Sequence, residues 1–330
     1  MESPMLYDPV YILEILRCFL ANPSTREVDA ADPDPASNWS LAGEELLAAC
    51  RSDEGIPPFL VAHGVPAMLG MLAFGVQYQD AEAGNRTRSL AWGLLASVAD
   101  THPEAVTGQA QLASGIHSVL SQGTPPEDTA LAATHILRLA LEDQQVCAAF
   151  RDAFASHEVL LALWNLLGGS SNLELATEIV QAVALLARLE SVEGGARCNL
   201  LRSSFAACML DNMLSSLRRP HTTSGSDSDG RTDLCSSAGS EDVQEGARDP
   251  LCQACADLVA LYLDSRLGAT VGQPDGAAED VAATLQVLRR GHGLIDPEAW
   301  SACRATLALL AEEEQTVAQA EQLTDQAGLR

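Results

Sequence analysis

The stretch SGSDSDGRTDLCSSAGSED, Ser224 to Asp242, has no hydrophobic period, yet apolar helical sequence resumes soon after it. Read as a linker, it cuts the chain into two domains; read as a loop, it sits inside one. The punctuation on either side decides. Upstream, a helical run closes with Leu217-Arg218-Arg219, and downstream another opens with Asp249-Pro250; the same pair of signals recurs at Leu288-Arg289-Arg290 and Asp296-Pro297. Arginines in a last turn face the negative end of the helix dipole. An N-cap Asp accepts orphaned N–H groups, and Pro at the first helical position has no N–H to orphan. Between the signals lie 29 residues (220–248) in the first case and 5 (291–295) in the second, a difference of 24.

A repeat along the chain gives the same figure. Five segments pair a small residue with a Leu/Ile/Val-rich helical run: 89–100, 128–143, 175–190, 251–265 and 299–314. Each would form a helix apolar over most of its circumference, which implies burial between neighbours. Each follows a shorter apolar helix, so the chain reads as helix pairs. Aligning Leu94, Ile136, Leu185, Leu258 and Leu307 gives steps of 42, 49, 73 and 49 residues. Three of the four lie near the roughly 40 to 47 of armadillo or HEAT units. The long step exceeds its neighbours by 24, so 220–248 reads as an insertion within a helical hairpin. Loop closure costs only about 0.6 kcal/mol per doubling of length, and the hairpin tolerates it.

The expected fold is therefore all-α: an armadillo/HEAT-like, right-handed α-solenoid of about five helix-pair repeats over 39–330, with a disordered loop at 220–248 in the fourth repeat. Residues 1–38 read as an N-terminal helix after Asp8-Pro9, able to cap the first repeat, and a Pro/Asp-rich linker. The polar run AEEEQTVAQAEQLTDQAGLR suits a C-terminal cap. Composition agrees, with 47% hydrophobic residues, 4% aromatics and an abundance of the helix formers Ala and Leu.

All 19 basic residues are arginine; there is no lysine. A Walker A loop, a pyridoxal Schiff base and a kinase nucleotide lysine all need the missing ammonium group. A net charge of −26 repels phosphate backbones and anionic lipid, so nucleic acid and membranes are poor partners and basic proteins better ones. Nine scattered cysteines read as reduced core thiols, and the acidic start lacks the character of a signal peptide, so an intracellular protein is expected.

Catalytic, cofactor and metal sites are not expected. The seven histidines form no HExxH and no metal-spaced cluster, and Cys252-Gln-Ala-Cys255 lies alone within a helical run, with both thiols on its packed face. Gly291-His-Gly293 follows a helix where a dinucleotide site needs a strand, and reads as a helix stop. The acidic runs Glu44-Glu45 and Glu312 to Glu314 read as solvated. What remains is a surface. Trp92 and His135 are candidate groove residues, although Ala96 follows Trp92 where a nuclear-import receptor would repeat a Trp-x-x-x-Asn ladder. Ser224 and Ser226 have Asp three residues on, and Ser240 precedes Glu241-Asp242, the pattern of acid-directed phosphorylation.

Residues 53–190, with SQGTPP (121–126) before one long apolar helix and Ser-Ser-Asn-Leu-Glu-Leu before the next, resemble the SAAL (serum amyloid A-like) armadillo-type family. The resemblance implies an armadillo-like fold and a cytoplasmic or nuclear protein linked to proliferation control, without enzymatic activity. The expected function is a non-catalytic scaffold or adaptor for a protein partner. The alternative, from another class, is an armadillo-type nucleotide-exchange cochaperone of a seventy-kilodalton heat-shock chaperone.

Overall fold

Helices assemble into two units in the structure, a computed structural model that describes residues 9–20, 35–52, 54–73, 81–121, 125–154, 157–169, 172–192, 206–217, 241–270, 276–290, 294 and 297–328. Every regular element among these residues is helical, as composition predicts. The first compact unit, Met1–Phe154, holds α1 (Pro9–Leu20), α2 (Pro35–Cys50), α3 (Ile56–Val61), α4 (Gly64–Ala73), α5 (Ala81–Thr101), α6 (Pro103–Thr107), α7 (Leu112–Leu120), α8 (Glu127–Glu142) and α9 (Cys147–Phe154). The second, Ala155–Arg330, holds α10 (His157–Gly169), α11 (Leu173–Val192), α12 (Ala206–Leu217), α13 (Glu241–Thr270), α14 (Gly276–Arg290) and α15 (Pro297–Gly328).

The five expected pairs are all present, as α4/α5, α7/α8, α10/α11, α12/α13 and α14/α15, and the two members of each pack on one another. In the first unit the long helices stack in the order α2, α5, α8, while the short α4 packs on α7. The same rule, long on long and short on short, holds for α11 on α13 and α10 on α12. Helix α1 docks on α2, α3 and α4, so it covers the start of the first unit as a cap would.

The last pair breaks the rule. Helix α14 packs on α13 and α15 on α12, so α12, α13, α14 and α15 close into a ring of four. A run apolar on two sides demands two neighbours but does not say which ones, and the sequence period is silent on this exchange.

Helix ends follow local chemistry. Asn172 Oδ1 accepts the N–H groups of Glu174 (3.0 Å) and Leu175 (3.2 Å), the geometry of an N-cap, at the head of α11. Glu127 and Asp128 place negative charge in the first turn of α8. Two starts differ from expectation. Helix α2 begins at Pro35, inside the segment read as linker, because Pro at a helix start forfeits no hydrogen bond. Helix α13 begins at Glu241 and carries Pro250 within it, so 241–248 are helical, not loop. An interior Pro gives up one N–H bond and crowds the carbonyl four residues back, yet the helix continues where packing beyond it holds. The rest of the expected loop, 220–240, lies outside the described residues.

Each unit has its own core. Helix α8 alone buries Ala130, Ala132, Ala133, Ile136, Leu137, Ala140 and Leu141. Each large aliphatic among these contributes roughly 1.5 to 3 kcal/mol of apolar burial, and Ile136→Ala would cost about 2 to 5 kcal/mol. Four of the five aligned positions, Leu94, Ile136, Leu258 and Leu307, are fully buried. Leu185 is half-buried and its neighbour Leu186 takes the core position, so the alignment slips by one residue at α11.

Candidate functional site

The stacked long helices are bridged at their solvent edges by polar side-chain pairs. Arg86 of α5 bonds Glu44 of α2. His135 of α8 bonds Asp100 of α5 at 2.7 Å, and Arg188 of α11 bonds Asp257 of α13 at 2.9 Å. His135 and Asp257 occupy the same place in the repeat, one residue before the aligned Ile136 and Leu258, and each reaches back to the preceding long helix. The joint is a repeated feature with donor and acceptor exchanged between the helices.

His135 also faces Arg138, whose Nη2 lies 3.3 Å from Nδ1. A guanidinium only donates, so Nδ1 accepts, and the ring proton sits on Nε2 and is donated to Asp100. Arg138 Nη1 in turn donates to Glu142 at 2.9 Å. The result is a chain of four side chains, Asp100, His135, Arg138 and Glu142, lying along α5 and α8 beside the half-exposed Ala96, Ser97, Leu131 and Leu139.

Trp92 does not belong to it. The residue is 1% exposed, and its ring lies over Gly115 of α7, where a Cβ would sit 3.6 Å from the indole. Its Nε1 is buried with no hydrogen-bond partner. As a groove residue Trp92 is therefore corrected to a core one. Ala91, Trp92, Leu94, Leu95, Val98 and Ala99 are all buried, so α5 packs on two sides and the Trp takes the side toward the short helix. Ser224 and Ser226, like Ser240, lie outside the described residues.

Cysteine chemistry is subdued. Cys255 is fully buried with its thiol donating to Met213 Sδ at 3.6 Å, and Cys252 is half-buried. Burial, then the neighbouring Cys252, pushes the Cys255 thiol well above its usual range. Burial alone lifts Cys50 to about 12 and Cys303 to about 11. Thiols held protonated are poor nucleophiles and poor metal ligands. Among the described residues, no group of three His, Cys, Asp or Glu side chains could hold a metal ion. None of the helices, over the same residues, is long and apolar enough to cross a membrane.

The sequence reading missed one residue. Glu312 and Glu313 are exposed as expected, but Glu314 is buried, 6% exposed. Its Oε1 accepts from the Tyr262 hydroxyl of α13 at 2.8 Å, and its Oε2 accepts from the backbone N–H of Ala207, in the first turn of α12, at 3.2 Å. The carboxyl is held above its ordinary range by burial, with those two bonds and Arg266 pulling the other way. The signal was there: Glu314 follows the buried Cys303, Leu307 and Leu310 at helical spacing, on the face turned inward.

No family model matches the chain, and no curated protein matches it. Among solved structures it is similar to the crystal structure of an engineered protein from the Northeast Structural Genomics Consortium, at TM-score 0.47 and 15% identity, covering 93% of this chain and 97% of that one.

Proposed function

We propose that the chain is a non-catalytic scaffold of the armadillo-like solenoid type that holds a basic protein partner along its stacked long helices. The observation that carries this reading is the recurring joint at His135 and Asp257, which sets a hydrogen-bonded polar pair at one repeat position within each unit. Charge supplies the partner's chemistry. The arginines at 86, 138, 151, 188, 266, 289 and 304 already pair with carboxylates within the fold. Acids in excess of them, including Glu14, Asp128, Glu174, Glu279, Asp280 and Glu312, face solvent. Such a surface attracts basic segments and speeds their encounter. Phosphorylation at Ser224, Ser226 or Ser240 would deepen the negative field, and the likeness to the SAAL family supports a cytoplasmic or nuclear setting in growth control.

The test is proximity labelling with the full chain and with an Ala96→Arg, Leu139→Arg variant, which sets two cations on the α5–α8 edge. Basic proteins should be labelled by the parent and lost from the variant. Identical partner lists would overturn the use of this edge. A parallel assay of nucleotide release from a seventy-kilodalton chaperone tests the cochaperone alternative, which acceleration at micromolar protein would favour.

A further inference from the structure

Glu314 is a carboxylate placed beneath a helix that it helps to hold. Helix α12 is short, twelve residues, and packs on α10, α13 and α15. Its first turn is tied to the core through the Ala207 N–H and Glu314 Oε2, and its middle through Asp211, which bonds Arg304 of α15 at 2.8 Å. We propose that Glu314 is a proton-operated latch for α12, tightening the helix onto α13 and α15 when the carboxyl takes up a proton and loosening it when the proton leaves.

The physical basis is the cost of burying a charge. A carboxylate removed from water is stabilised only by the donors it meets, and here those are one phenol and one backbone N–H. Other charges nearby offset that burial only in part. From α13, Arg266 favours the charged form while also directing a guanidinium nitrogen to Glu313 at 3.4 Å. On α15 itself, Glu313 is a like charge, which opposes ionisation. From α12, Asp211 is turned to Arg304, and on α14, Glu279 and Asp280 are exposed while Arg289 bonds Asp264. Tyr262 stays a donor, because burial and the adjacent carboxylate push its hydroxyl far above its usual range.

The direction follows from linkage. With α12 docked, the carboxyl is held above its ordinary value; with α12 lifted, water reaches it and the ordinary value returns. The docked form binds the proton more tightly, so between those two values acidification favours docking and a rise in pH favours release. One proton is coupled, so the equilibrium shifts by at most about tenfold per pH unit.

Hydrogen–deuterium exchange of the full chain, read on residues 206–217 and corrected for the intrinsic rate at each pH, tests this. In the parent protein, exchange of α12 should quicken as pH rises through the window, by up to about tenfold per unit. Glu314→Gln keeps an acceptor but cannot ionise, so its profile should be flat and its α12 slower than the parent's at the alkaline end. Tyr262→Phe removes a donor to the charged form, so its α12 should exchange faster than the parent's at the alkaline end and converge with it at the acid end. A parent profile without pH dependence would overturn the latch. So would a Glu314→Gln profile that copies the parent's, or a Tyr262→Phe effect equal at every pH, which would mark a packing role alone.

Discussion

His63, between α3 and α4, adopts φ 56°, the left-handed region that side chains with a Cβ occupy at a cost of roughly 1 kcal/mol. It ends one helix and its carbonyl receives the Ala67 N–H at 3.1 Å, so the strained residue is the hinge of a tight helix–helix turn. Glycine relieves the steric cost and loses some of the gain in unfolded-state entropy. We expect His63→Gly to raise stability by about 0.5 to 1 kcal/mol in urea unfolding; a destabilisation would mean that the imidazole itself supports the turn. The thiols provide a second expectation at this scale. Cys18 is exposed, whereas Cys50, Cys255 and Cys303 are buried and held protonated. At pH 8 a thiol near 11 is ionised in only about one molecule in a thousand. Brief alkylation of the native protein followed by mass mapping should modify Cys18 and leave those three intact.

Among the elements, α1 depends on a glycine of its neighbour. A Cβ at Gly43 of α2 would lie 2.6 Å from the Phe19 ring of α1 and 2.9 Å from Leu90 of α5. Phe19 is 1% exposed, so it has little room to retreat. Gly43→Ala should therefore weaken docking of α1, costing about 1 to 3 kcal/mol by overpacking despite alanine's better helix propensity. Faster amide exchange confined to 9–20 would show it, and unaltered exchange there would mean that the ring turns aside at no cost. Helix pairing was legible at this scale. The small-then-apolar pattern at 128–143 became α8, and the Arg-Arg and Asp-Pro signals at 288–290 and 296–297 closed α14 and opened α15 at the expected places. Asp249-Pro250 misled, because a prolyl residue marks a helix start or an interior position with the same two letters, and only packing separates them.

For the whole molecule, the governing quantity is the surplus of 26 negative charges. Self-repulsion among them destabilises a compact state, and salt screens it, with a Debye length of about 30 Å at 0.01 M falling to about 4 Å near 0.5 M. Salt also weakens the arginine–carboxylate pairs, but exposed pairs contribute only about 0 to 1 kcal/mol each. The thermal midpoint should consequently rise between those two salt concentrations. A fall would show that the bridges between stacked helices, such as Arg188–Asp257, carry more of the stability than their exposure suggests.

The sequence by itself determined that the described residues are helical, which runs pair, and where α14 ends and α15 begins, because propensity, capping and apolar period act over a few neighbouring residues. Tertiary structure alone decided that α15 returns to α12, that Trp92 faces inward, and that Glu314 lies beneath α12. The reason is physical: a helix apolar on two sides fixes how many neighbours it must have, whereas their identity depends on contacts between segments about a hundred residues apart, and the sequence period carries no record of those.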